Sequence, residues 1–123
     1  MAITISTLSS QFTDIIVQDT DVDVNPRNDI TQGTGSVYFI HVTNSWSGSS
    51  IFLKLYDATS ATIPTDQPIF IMKVGASSTK HVVIPDGMPF TSGLSYAASD
   101  QAGDLGAGSS IPTGDLTVRM IIS

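Results

Sequence analysis

The chain lacks several residue types, and each absence excludes a class of protein. There is no cysteine among the 123 residues, which excludes disulfide bonds and cysteine-based zinc sites. Glutamate is also absent, so all eleven acidic residues are aspartate. No apolar run approaches the roughly 20 residues that a membrane-spanning helix needs, and no membrane partner is predicted. The first residues carry no basic group ahead of an apolar stretch, so no secretory signal is predicted.

Charge of either sign is scarce in this chain. Charged residues make up 13% of the sequence, whereas about 25% is usual for a soluble globular domain. The formal net charge is -6, so the phosphate backbone of a nucleic acid would be repelled and is not a predicted partner. The length corresponds to one domain with one core. A surface with so few charges is either rich in neutral polar groups or covered by neighbouring subunits.

The residues that are present favour strands over helices. Serine, threonine, glycine and aspartate are abundant, and no window of eleven residues has a clear 3.6-residue apolar period. Short β-branched and aromatic runs recur instead. They are residues 36–43, 50–56, 68–74, 79–84, 93–99 and 115–122, with weaker candidates at 3–8 and 12–18. We therefore predict an all-β fold, an antiparallel β-sandwich or jelly roll of about six to eight strands.

Turn residues separate the candidate strands. The segments 44–49 and 75–78 have the length and composition of hairpin loops. Pro85-Asp86-Gly87 has the composition of a tight turn, because proline presets φ, aspartate bonds its own backbone and glycine accepts a positive φ. We predict that a strand ends at this turn.

Residues 1–30 differ from the rest of the chain, which we assign to the sandwich domain (31–123). They contain nearly half of the aspartates and no strong strand candidate. Two interpretations stay open, an arm that leaves the globule to bind a partner or an edge strand and loop of the sandwich. On the first interpretation the partner-binding residues are Ile15, Val17, Asp19, Asp21 and Asp23. A partner with basic groups would suit them.

The alternating oxygen ligands of residues 19–25 also suggest calcium, but the spacing does not fit an EF-hand loop. Counted from Asp21, Pro26 stands where the loop needs glycine, and Gln32 stands where it needs glutamate. No metal or cofactor is predicted.

Catalytic chemistry has few candidates. His41 and His81 are the only imidazoles, and each lies in the middle of an apolar strand candidate. No G-x-S-x-G nucleophile motif occurs. Asp57, Asp66 and Asp86 fall at strand ends or turns, where aspartate is ordinary turn chemistry. We predict that the protein is not an enzyme.

Several strand candidates are apolar on both faces. A sandwich strand needs only one apolar face, but Phe39, Phe52, Ile69 and Ile71 lie on the second. We predict that these four residues form an interface between copies of the chain. The alternatives are cover by the N-terminal segment or scattered surface apolar residues.

Trp46, the one tryptophan, is in the loop after residue 43. It could stack on a sugar, anchor a protein partner or fold back on its own sheet.

A more specific pattern lies between residues 50 and 98. It comprises S-I-F-L-K-L-Y-D-A (Ser50–Ala58), I-P-D-G (Ile84–Gly87), Phe90 and G-L-S-Y-A-A (Gly93–Ala98). This pattern resembles that of small β-sandwich virion proteins of tailed bacteriophages, chiefly the capsid decoration (cement) proteins. The resemblance extends from Val37 to Ile122 and does not cover residues 1–30.

The resemblance implies a structural virion protein without catalysis or cofactor. It implies a homotrimer bound to the major capsid protein on the capsid surface, assembled in the host cytoplasm. Such a protein would stabilise the head mechanically. The alternatives are a tail, neck or fibre component with the same sandwich, and a carbohydrate-binding jelly roll that uses Trp46 and nearby tyrosines.

Overall fold

The structure is a computed structural model that describes residues 3–7, 15–30, 33–63, 65–102, 111–112 and 114–123. Within these ranges the chain forms eight β-strands and no helix. The strands are β1 (Ile3–Thr7), β2 (Ile15–Asp19), β3 (Gly35–Asn44), β4 (Ile51–Asp57), β5 (Phe70–Val74), β6 (Ser78–Phe90), β7 (Leu94–Ser99) and β8 (Leu116–Ile122). The all-β prediction is confirmed, and so is the predicted number of strands.

The strands form two sheets. Sheet A has five strands in the order β1-β2-β8-β3-β6, and sheet B has three in the order β5-β4-β7. All pairings between the strands are antiparallel. Buried residues of both sheets belong to one hydrophobic cluster, which is the arrangement of a β-sandwich.

The core follows from the alternation of apolar residues along the strands. In β8, Leu116, Val118, Met120 and Ile122 are fully buried, while the residues between them are half-buried or exposed. Leu53 of β4 is fully buried in the same cluster from sheet B. Burial of one such side chain stabilises the fold by about 1.5–3 kcal/mol, so the core is the main stabilising feature.

The two loops of hairpin length do not form hairpins. The loop after Asn44 connects β3 of sheet A to β4 of sheet B, and the loop after Val74 connects β5 of sheet B to β6 of sheet A. These predictions were wrong because a short loop can equally turn a corner between packed sheets. Loop length does not distinguish the two cases.

Pro85-Asp86-Gly87 does not end a strand either. It lies inside β6 as a bulge, because Val83 pairs with Phe39 and Met88 pairs with Val37 on β3. Gly87 has a φ of 79°, and a Cβ on it would meet the side chain of Tyr38 at 2.8 Å. The proline and glycine therefore serve the irregular backbone of a bulge. A separate irregularity lies in β3, where Tyr38 is one extra residue opposite Ile121 and Ile122 of β8. It turns Val37 to the core, where it is fully buried.

The described residues of the N-terminal segment are integrated into the sandwich. β2 lies between β1 and β8 in sheet A. The segment after β2 follows the edge of β7, where Arg27 and Tyr96 exchange two backbone hydrogen bonds of 2.8 and 3.0 Å. Further along this edge, the amide of Ala98 donates to the carbonyl of Asp23 at 2.9 Å. Residues 3–7 and 15–19 are thus paired within sheet A, and residues 23–27 are hydrogen-bonded to the edge of sheet B.

Candidate interaction face

Side chains of alternate residues form rows across the outer face of sheet A, the face turned away from the core. The strand register defines an apolar row, an Arg–His row and a threonine row. The apolar row is Ile16, Ile121, Phe39 and Val83; the Arg–His row is Gln18, Arg119, His41 and His81; the threonine row is Thr117, Thr43 and Thr79. Each row runs perpendicular to the strands, because directly paired residues of neighbouring strands share a face.

Aromatic rings link the first two rows. The ring centroids of His41 and His81 lie 6.5 Å apart with an interplanar angle of 15°. The ring of Phe39 lies 6.4 Å from His41 and 6.2 Å from His81. Beside these rings is a cleft of about 190 Å³, lined by Phe39, His41 and Arg119 together with Ile16, Met120 and Ile121. The cleft is apolar on one side and has hydrogen-bond donors on the other.

The apolar row is accessible to solvent. Val83 is 59% exposed, the largest exposure given for any large apolar side chain of the described residues. Phe39, Ile16 and Ile121 are half-buried. Contiguous apolar side chains on a flat sheet face are typical of protein interaction surfaces. The outer face of sheet A is therefore the candidate functional site.

Arg119 is exposed in the middle of this face. Within the described part of the chain its side chain makes no hydrogen bond and no ion pair. The three rows contain no carboxylate. Asp19, next to Gln18 at the end of β2, faces the core and pairs with Arg27, whereas Asp86 and Asp115 lie in the bulge and ahead of β8. A guanidinium without a partner, between apolar and hydroxyl groups, can accept a carboxylate from another molecule.

The acidic segment after β2 has a different role from the one its composition suggested. Asp19 is fully buried and accepts hydrogen bonds from Arg27 Nε at 3.1 Å and from the Tyr96 hydroxyl at 2.8 Å. Burial raises the pKa of Tyr96, and the charge of Asp19 raises it further. The phenol therefore stays protonated and keeps donating to the carboxylate. This cluster joins β2 of sheet A to β7 of sheet B.

Arg27 uses its remaining donors on the backbone and side chains of the same segment. Nη2 donates to the Asp21 carbonyl at 2.6 Å, and Nη1 donates to the Asn25 carbonyl at 3.0 Å. Nη1 also reaches the Asp23 carboxylate at 3.4 Å. The Asp21 carboxylate accepts from the amide of Gly114 at 3.0 Å. These aspartates organise the loop around one buried guanidinium.

The predicted partner-binding residues therefore differ in whether a partner could reach them. Val17 and Asp19 have no exposed surface and cannot contact a partner directly, because both face the core. Ile15, Asp21 and Asp23 are half-buried. Trp46 packs against the hydrophobic core, which matches the third of its three alternatives.

The predicted oligomer residues do not form one patch. Phe39 lies on sheet A, whereas Phe52 and Ile71 lie on the outer face of sheet B, and Ile69 directly precedes β5. The prediction assumed that apolar second faces of consecutive strands are neighbours. β3 and β4 belong to different sheets, so this assumption fails. On the outer side of sheet B, Lys54 and Tyr56 are buried, which shows that much of that face is covered.

The sequence pattern between residues 50 and 98 brings its parts together at one end of the sandwich. The Asp57 carboxylate accepts hydrogen bonds from the amides of Thr91 and Ser92 at 3.0 and 2.8 Å. The Ser95 hydroxyl donates to the Ala58 carbonyl at 2.6 Å, and the Ala58 amide donates to the Gly93 carbonyl. The turn between β6 and β7 is thus held in place by hydrogen bonds between the K-L-Y-D-A and G-L-S parts of the pattern.

Replacing Asp57 with Asn is expected to lower thermal stability at neutral pH by a few degrees. The amides of Ser92 and Thr91 stabilise the carboxylate and lower its pKa below the ordinary 3.8. This contribution is present above the unfolded-state pKa and is lost as pH falls through the lower folded-state pKa. Thermal melts of wild type and Asp57→Asn should therefore converge in strong acid. Asp86→Asn, which removes an exposed carboxylate, is the control and should show little difference at either pH.

Comparison of the chain with protein-family models, with curated proteins and with solved structures finds no match. Among the described residues, no helix is long and apolar enough to cross a membrane. The same residues contain no group of three or more histidine or aspartate side chains placed to hold a metal ion.

The Arg–His row was missed in the sequence analysis. The strand that contains Arg119 is among the predicted strands, as residues 115–122. That Arg119 neighbours His41, and His41 neighbours His81, depends on the pairing of β8, β3 and β6. In the sequence, the only indication of this row is that one arginine and two histidines occur in three different strand candidates.

Proposed function

We propose that the chain is a non-catalytic structural protein that attaches to a protein lattice through the outer face of sheet A. The observation that carries this proposal is the accessible apolar row beside Arg119, whose exposed guanidinium pairs with no other described residue. The sequence pattern that resembles phage decoration proteins specifies the type: a capsid decoration protein, bound as a homotrimer to the major capsid protein.

The mechanism is mechanical. A bound decoration subunit adds an interface that must be broken before the shell opens. Burial of apolar surface contributes roughly 25 cal/mol per Å² before the costs of association are subtracted. Four apolar side chains in line, Ile16, Ile121, Phe39 and Val83, give this face a continuous strip for such burial.

The positions of the aromatic residues do not favour the carbohydrate-binding alternative. A sugar platform requires an aromatic ring presented to solvent. Trp46 packs against the core and is half-buried, Tyr38 is half-buried, and Tyr56 and Tyr96 are fully buried, so none of these rings is fully presented to solvent. A tail or fibre location would use the same sandwich and the same kind of contact, and it differs from the head only in the lattice that is bound.

The proposal is tested by co-sedimentation of the purified protein with empty heads of the phage that encodes it. Saturable binding at a fixed ratio to the major capsid protein is the expected result. Absence of binding to heads, with binding to isolated tails or to a glycan array, would overturn the capsid assignment. Sedimentation velocity of the free protein measures whether it is a trimer.

Val83→Asp is expected to weaken binding to heads at least about tenfold, because it places a charge in the apolar row. Ile69→Asp is a matched control, since Ile69 is also an exposed apolar residue (41%) but directly precedes β5 of sheet B. Both sites are at the surface, so both variants should fold, which circular dichroism checks. Loss of binding by Ile69→Asp alone would contradict the assignment to sheet A.

A further inference from the structure

The outer face of sheet A differs in charge from the rest of the molecule. The chain has a formal net charge of -6. The Arg–His row nevertheless places one guanidinium and two imidazoles next to one another and contains no carboxylate. This face can therefore bind a negatively charged group, although the protein as a whole is acidic.

The acidic segment that suggested a basic partner is largely engaged within the molecule. Asp19 is buried with Arg27, and Asp23 also contacts Arg27. Asp21 accepts a hydrogen bond from the Gly114 amide. Electrostatic attraction to a partner depends on charges that are accessible and unpaired. Arg119 meets both conditions, and these aspartates do not.

We propose that the outer face of sheet A binds a carboxylate-bearing surface of the lattice protein, with Arg119 as the anchor. This inference rests on the proposed function. It also reverses the charge expected of the partner, because the aspartates of residues 1–30 suggested a basic partner and this face suits an acidic one. Arg119 lies between Gln18 and His41 in the row, so hydrogen-bonding side chains flank it on both sides. Neighbouring strands are about 4.8 Å apart, so the row offers donors at a spacing that carboxylates on one partner strand or loop can meet.

The cleft beside Arg119 indicates which partner residues should lie next to those carboxylates. Its walls include Ile16, Phe39 and Ile121, so the fitting partner surface has an apolar side chain next to an acidic one. Exclusion of water by this apolar contact strengthens the guanidinium–carboxylate hydrogen bonds. In a second copy of this chain Asp19, Asp21 and Asp23 are already hydrogen-bonded, which leaves the exposed Asp86 as a carboxylate it could offer; the sedimentation measurement below distinguishes this occupant.

Arg119→Gln and Lys73→Gln form a matched pair for testing this inference. Each removes one positive charge from an exposed residue, but Lys73 lies on β5 of sheet B. Binding to empty heads is measured by co-sedimentation at low and high sodium chloride. We expect Arg119→Gln to weaken binding about tenfold at low salt and Lys73→Gln to change it less than about twofold. The difference between wild type and Arg119→Gln should narrow as salt rises.

Other results of this experiment would contradict either the role of Arg119 or the proposed function. Equal losses from both variants would show that overall charge governs binding and would overturn the assignment to Arg119. Undiminished binding by Arg119→Gln would overturn the anchor role while leaving the proposed function intact. A changed sedimentation coefficient of free Arg119→Gln would show that the face contacts a second copy instead. If the wild type does not bind heads, the proposed function fails, and this inference fails with it.

Discussion

Replacing Arg27 with Leu is expected to lower the free energy of unfolding by about 3–5 kcal/mol. The Asp19 carboxylate would remain buried without its counter-ion, and the backbone carbonyls of Asp21 and Asn25 would lose their donor. Domains of this kind are stable by only about 5–15 kcal/mol, so the loss is a large fraction of the total. Urea denaturation followed by circular dichroism and by the fluorescence of Trp46 measures it.

Arg119→Leu is the control for this substitution. It removes the same side chain from an exposed position and should change stability by no more than about 0.5 kcal/mol. The double variant Asp19→Asn/Arg27→Leu should be less destabilised than the sum of its single variants, because the two side chains interact directly. If Arg27→Leu costs no more than Arg119→Leu, the buried ion pair does not hold the sheets together.

Deleting Met1–Asp23 is expected to abolish folding. The deletion removes β2, an interior strand of sheet A, and exposes the edge of β8. It also removes Val17 from the core and leaves Arg27 buried without Asp19. These losses together exceed the stability expected of one small domain. Circular dichroism and hydrogen exchange of the truncated chain measure the result.

A shorter deletion distinguishes a structural role from an arm that is used only for docking. Removing Met1–Thr7 takes away β1, the edge strand, and leaves β2 paired with β8. That variant should fold with reduced stability. If the chain without Met1–Asp23 folds as well as the wild type, residues 1–23 form a separable arm and the integrated arrangement is not required for the fold.

The class of fold and the approximate positions of the strands can be predicted from the sequence alone. In β8, for example, Leu116, Val118, Met120 and Ile122 alternate with Thr117, Arg119 and Ile121 in the sequence, and the first four are the buried side. The lack of helical periodicity together with frequent turn residues excluded helices, and none occurs in the described ranges. Both properties are local, since they depend on residues a few positions apart. They can therefore be assigned before any pairing is known.

Which strands are neighbours cannot be predicted in this way, and the candidate face depends on it. Phe39 and Phe52 looked like parts of one patch, but their strands are in different sheets. Asp19 looked like a surface charge, but Arg27 and Tyr96 allow it to be buried. Pairing between distant strands depends on the packing of the whole core, and no short stretch of sequence encodes it. The alignment of Arg119 with His41 and His81 arises from that packing alone.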